Sequence, residues 1–134
     1  MNNRYLYRAK RTDNGEWTYG YLYGIWERKY ILWGMTNNVP DMTEVEPSTI
    51  CQCTGLIDKN GKLIWEKDIV AYWDTYSTES GYSEVDCIGK VFWDGETMSF
   101  QVTGRLSAES YEVLDECSVI GNIFDNPELL EVGE

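Results

Sequence analysis

The chain contains no histidine, no long apolar run, no glycine-rich phosphate loop and no surplus of positive charge. Without histidine there is no His-based triad and no imidazole acting as general acid or base. The mixed Cys/His zinc sites go with it. No segment approaches the roughly 18 apolar residues that span a bilayer as a helix. The opening residues, Met1-Asn2-Asn3-Arg4-Tyr5, hold no secretory apolar core, so the expected compartment is the cytoplasm. Gly20, Gly24 and Gly34 fit neither G-x-G-x-x-G nor G-x-x-x-x-G-K-[ST]. A net charge of −12 repels nucleic acids and anionic membranes, so neither is an expected partner.

What is present is aromatic and acidic. Six Trp, ten Tyr and three Phe make 14% of the residues, which favours sheet and argues against disorder. At 134 residues the chain is expected to be one domain, 1–134. A domain of this size buries roughly 65–70% of its unfolded surface and needs no disulfide or metal staple. The charge is uneven. Residues 1–33 carry six basic and three acidic groups, and residues 34–134 carry five basic and twenty acidic ones. One copy's basic end could meet another copy's acidic end, although charges spread over separate faces for solubility explain the same numbers.

The remaining chemistry is thin. Cys51, Cys53, Cys87 and Cys117 do not have the spacing of a zinc site, and no neighbouring cation marks one as a nucleophile. They read as small apolar residues in a reducing compartment. Acid pairs such as Glu66 and Asp68 are inevitable among 23 carboxylates. Asp58-Lys59-Asn60-Gly61 lacks the spacing of a calcium loop and reads as a turn. No catalytic residue, metal site or cofactor is expected.

Along the chain, Tyr5-Leu6-Tyr7-Arg8-Ala9 and residues 16–23 flank Asn14-Gly15, the signature of a hairpin with a type I′ turn. Trp17, Tyr19, Tyr21 and Tyr23 alternate and share one face of a strand. Packing of a small β core and a subunit contact is the favoured role for these aromatics, ahead of base stacking. Residues 30–33 read as a short strand. Residues 36–48 read as a loop, with Glu44-Val45-Glu46 as a short edge strand. Strands are expected at 49–54, 62–65 and 69–73. Residues 74–86 read as an exposed loop. A second hairpin is centred on Asp94-Gly95, a strand lies at 118–124, and Asn126-Pro127 opens a short helix. Residues 108–116 could hold another helical turn.

Three blocks together resemble the YopX family, a group encoded by phages and prophages. The first is Arg4-Tyr5-Leu6-Tyr7-Arg8-Ala9-Lys10 with Gly15-Glu16-Trp17-Thr18-Tyr19-Gly20. The second is Gln52-Cys53-Thr54-Gly55-Leu56-Ile57-Asp58-Lys59-Asn60-Gly61-Lys62 with Ile64-Trp65-Glu66-Lys67-Asp68-Ile69-Val70. The third is Val119-Ile120-Gly121-Asn122-Ile123-Phe124-Asp125-Asn126-Pro127-Glu128-Leu129-Leu130. The chain departs from the family pattern at Cys53, where an aromatic is usual, and at Lys67, where glycine is usual. The resemblance implies a mostly β fold with a small, partly open, SH3-like barrel, and it implies no activity.

The expected architecture is therefore mostly β. It comprises antiparallel hairpins in a lobe at 1–35, a barrel-like core in a lobe at 48–130, and one or two short helices. The expected function is that of a non-enzymatic, self-associating accessory protein of a phage or prophage. It would bind a host or phage protein in the bacterial cytoplasm. Trp and Tyr dominate interface energetics, so Arg4, Arg8, Trp17, Tyr19 and Tyr21 form the expected contact surface. The alternatives are an acidic DNA mimic that inhibits a host nucleic-acid enzyme, and a weak nucleic-acid binder using the basic N-terminal strands.

Overall fold

The computed structural model describes residues 5–96, 98–103 and 116–130, with 74–78 and 82–85 described by their backbone. The chain divides into two compact units, Met1–Cys53 and Thr54–Glu134. The fold is mostly β, with antiparallel strands and short 3₁₀ turns.

Unit 1 holds β1 (Tyr7–Lys10), β2 (Trp17–Ile25), β3 (Arg28–Thr36) and β4 (Val39–Val45). A 3₁₀ turn, Pro47–Thr49, then leads into β5 (Cys51–Ile57). The strand order is β4-β3-β2-β1-β5, and Cys51 and Gln52 of β5 pair with Arg8 and Tyr7 of β1. The β1–β2 hairpin forms as expected, but its turn does not. Arg11 and Glu16 close a four-residue loop in which Gly15 takes φ 74, while the Asn14 carboxamide oxygen accepts from the Glu16 amide at 2.9 Å. Asn14 spends its side chain on an Asx turn, which replaces the left-handed conformation of a type I′ turn.

The expected loop at 36–48 is largely strand. Asn37 and Asn38 take φ 51 and 66, so they form the tight turn between β3 and β4. Both central positions of a type I′ turn need positive φ, and Asn reaches it more easily than most residues. Pro40 is compatible with a strand here because β4 is the sheet edge. A bulge between Leu32 and Gly34 takes up the extra residue of β3. The core of unit 1 is small: Ala9, Ile31 and Val45, with Tyr7 and Ile50 against them. At the end of β1, the Lys10 amide donates to Thr49 Oγ1 at 2.8 Å and the Glu46 amide donates to the Lys10 carbonyl at 2.9 Å.

Unit 2 takes the far end of β5 beside β6 (Leu63–Trp65), and a four-stranded sheet in the order β10-β7-β8-β9. Its strands are β7 (Asp68–Thr78), β8 (Gly81–Asp94), β9 (Ser99–Val102) and β10 (Ser118–Asn122). The sheets do not close into a barrel among the described residues. The expected loop at 74–86 is instead the far half of a long β7–β8 hairpin, paired as far as Thr78 and Gly81. Thr and Tyr are good strand formers, and the ladder supplies the backbone bonds that apolar patterning does not advertise. The Asp94-Gly95 hairpin also forms, but its loop runs over 95–98 with Met98 at φ 55. Pro127–Leu130 is a 3₁₀ turn, and the Asn126 carboxamide oxygen points back to accept from the Asn122 amide at 3.3 Å. The helical turn expected at 108–116 lies, except for Glu116, outside the described residues.

The core of unit 2 is Ile64, Val70, Tyr72, Val91, Val102 and Cys117, backed by Cys87, Phe100 and Val119. Two buried aspartates hold its turns. The Asp58 carboxylate accepts from the amides of Asn60, Lys62 and Val119, each at 2.9 Å. Asp68 accepts from the Trp65 amide at 2.8 Å across a tight turn in which Lys67 takes φ 70. That conformation explains why glycine is usual at position 67. At Gly89 a Cβ would collide with the Thr103 carbonyl, so β8 passes too close for any side chain.

Candidate functional site

The register of unit 1 sorts its side chains onto two faces, because residues directly opposite each other in antiparallel strands point the same way. Ala9 faces Thr18, Leu22 faces Ile31 and Thr43, and Lys29 faces Val45. This face carries the core. The other face carries Arg8 opposite Tyr19, Lys10 opposite Trp17, and two rows across three strands: Tyr21-Leu32-Met42 and Tyr23-Tyr30-Glu44.

The alternating aromatics of β2 therefore sit on the side away from the core. Tyr19, Tyr21 and Tyr23 are 50%, 48% and 43% exposed, and Met42 is 50% exposed. The expectation that they fill a β core fails because the small residues Ala9, Ile31 and Val45, with the close approach of Gly20 to β3, take that place. Tyr23 and Tyr30 lie tilted with ring centroids 6.3 Å apart. The Arg28 guanidinium is held above its ordinary pKa by the Tyr30 hydroxyl, then by the Glu44 carboxylate. Tyrosines and methionine exposed side by side can bind apolar or aromatic surface.

The residues expected to make contact are not all at the surface. Arg4 lies outside the described residues. Arg8 is only 7% exposed, and its guanidinium lies 4.6 Å above the Trp17 ring. Lys10 Nζ sits 5.4 Å from the same ring. Trp17 is half-buried between these cations, a structural use of charge on a ring. Tyr19 and Tyr21 are presented to solvent together with Tyr23, which alternation already put on their face, and the register adds Tyr30, Leu32 and Met42. Tyr30 and Met42 could not be assigned to this face without the β2–β3–β4 register. Trp26 was also missed. It is 92% exposed at the tip of the β2–β3 hairpin, with φ 53, where a bulky L-residue is uncommon.

Among the described residues no group of His, Cys, Asp or Glu is arranged to hold a metal ion. None of the four cysteines is in a disulfide, and Cys51, Cys53 and Cys117 are buried. Burial, and then the Asp58 carboxylate, push the Cys117 thiol up to about 11. No helix among the described residues is long and apolar enough to cross a membrane.

Residues 6–131 match the family described as YopX protein. The chain belongs to the YopX family. The crystal structure of protein EF1440 from Enterococcus faecalis is similar to this YopX chain, with 26% identity and a TM-score of 0.53. The similarity covers 92% of this chain and 96% of that one. No curated protein matches. The family blocks fall where backbone geometry is demanding: the Asp58 turn, the Lys67 turn and the Asn122–Asn126 turn. The tyrosine face of β2 to β4 extends beyond those blocks, into residues 21–44.

Proposed function

We propose that this YopX chain is a non-enzymatic, self-associating protein-binding module, a phage or prophage accessory protein acting in the host cytoplasm. The observation that carries the reading is the exposed tyrosine face of unit 1, on the side of the sheet away from its core. Exposed aromatics in one patch have the composition of an interface centre. The test is light scattering of the purified chain from about 1 to 200 μM, a range that spans weak and moderate association. Mass rising above one chain supports the reading. A single-chain mass throughout, with no cross-linked protein partner from host cells, contradicts it.

A second reading rests on charge. Residues 54–134 hold five basic and seventeen acidic groups and so carry the whole net charge. A surface this acidic could stand in for phosphates and block a basic nucleic-acid enzyme. The reading expects the chain to displace DNA from such an enzyme in competition. It falls if a tenfold excess displaces nothing.

A further inference from the structure

We infer that Asn14 is a site of spontaneous covalent modification. The Gly15 amide closes on the Asn14 carboxamide to form a succinimide, which water opens to aspartate and isoaspartate. The inference goes beyond the binding reading and does not depend on it.

The chemistry needs an asparagine followed by a residue whose amide nitrogen reaches the side-chain carbonyl carbon. Glycine serves best, because it has no Cβ to obstruct the approach. Two such pairs occur, Asn14-Gly15 and Asn60-Gly61. Both asparagines are exposed, and a Cβ at either glycine would meet nothing within 4 Å. Both glycine amides donate to a backbone carbonyl at 3.0 Å, Gly15 to Arg11 and Gly61 to Asp58. Neither the dipeptide, nor its exposure, nor the bonding of the glycine amide separates the two.

The carboxamides do. Asn14 Oδ1 accepts from the Glu16 amide at 2.9 Å, which folds the carboxamide forward over the Gly15 peptide. Asn14 Cγ and Gly15 N, the atoms that bond when the ring closes, both lie within that turn. The Glu16 amide also donates to the oxygen on which negative charge develops during closure, as an oxyanion donor does. Asn14 Nδ2, the leaving end, faces Glu16 Oε2 at 3.4 Å.

Asn60 is held differently. Its Nδ2 donates to Ser118 Oγ at 3.1 Å, which ties the carboxamide to β10. Its backbone amide and that of Lys62 donate to Asp58 Oδ1, each at 2.9 Å. The turn is thus fixed on a buried carboxylate, whose charge opposes new negative charge beside it.

The step balances with water as the only co-reactant. Gly15 N bonds to Asn14 Cγ and passes its proton through water to the departing nitrogen. The Cγ–Nδ2 bond breaks, and the nitrogen leaves as ammonia. Water then adds to one ring carbonyl. Opening at Cγ gives aspartate, and opening at the main-chain carbonyl gives isoaspartate, whose main chain runs through Cβ and Cγ. Either product puts a carboxylate between Asp13 and Glu16. Isoaspartate also lengthens the loop that the Arg11 amide closes on the Glu16 carbonyl at 2.9 Å.

The test is peptide mapping by mass spectrometry of the full chain aged in neutral buffer, native in one arm and unfolded in urea in the other. In the native chain Asn14 should convert at least tenfold faster than Asn60 and yield both aspartate and isoaspartate. In urea the two rates should converge, because the dipeptides are the same and the carboxamide contacts are gone. Aged wild type should accept methyl groups from S-adenosylmethionine through an isoaspartyl methyltransferase. Aged, folded N14Q should accept few, since glutamine closes a larger ring far more slowly. Native Asn60 converting as fast as Asn14 overturns the inference. So does an Asn14 that survives in the native chain while it converts in urea, or a product that is aspartate alone, the mark of direct hydrolysis. A rate gap as wide in urea comes from sequence rather than geometry and also contradicts it. N14Q that accepts as many methyl groups as wild type places the isoaspartate elsewhere, with the same consequence.

Discussion

At the scale of single residues, Asp58 gathers three backbone amides of unit 2 on one carboxylate. Burial works to raise its pKa, but the amides of Val119, Lys62 and Asn60 favour the charged form more strongly, and the net shift is downward from 3.8. A carboxylate whose folded value lies below its unfolded value stabilises fully above the unfolded value, and that stability is lost as pH falls through the folded value. Wild type should therefore lose stability below about pH 4, where D58N should show a shallower dependence. At neutral pH, D58N should be about 2–4 kcal/mol less stable in urea titrations, since it weakens three hydrogen bonds to charge. Lys67 gives the opposite case. Its φ of 70 is strained for any side chain, so K67G should stabilise by about 0.5–1 kcal/mol, read as a higher melting temperature. The Lys67 ammonium lies 5.6 Å from the Phe124 ring, and its loss sets the lower end of that gain.

At the scale of elements, hairpins were legible and their extents were not. The dipeptides Asn14-Gly15 and Asp94-Gly95 marked true chain reversals, yet both loops are four residues long, because neighbouring side chains cap the turn differently. Asn37-Asn38 was the unrecognised signal. Only a pair of left-handed residues closes β3 onto β4, and Asn-Asn is such a pair without the familiar glycine. Replacing both with Ala should cost about 1–2 kcal/mol, seen as early exchange of β3 and β4 amides, while N38G should be neutral or stabilising. The strands at 74–78 and 82–85 escaped for another reason. Their residues are polar, and hydrophobic periodicity reports burial rather than pairing. The aromatic alternation on β2 was read correctly as one face. Which side of the sheet that face occupies depends on Ala9, Ile31 and Val45, which meet only through long-range register.

At the scale of the whole molecule, the chain joins a neutral unit bearing exposed tyrosines to a strongly acidic one. On the proposed self-associating reading, the acidic unit resists contact with its like by charge repulsion, and the neutral unit offers the contact surface. Membership of the YopX family was legible because its blocks sit at turns with narrow backbone demands. The tyrosine surface was only partly legible. Tyr19 and Tyr21 could be named from alternation, while Arg8 looked available and is buried against Trp17.

The most direct measurement is hydroxyl-radical footprinting of the wild-type chain at low and high concentration. The account expects oxidation of Tyr19, Tyr21, Tyr23 and Met42 to fall as concentration rises, with exposed Trp73 and Trp93 of unit 2 unchanged. Equal oxidation of the four at both concentrations, or protection confined to unit 2, would contradict it.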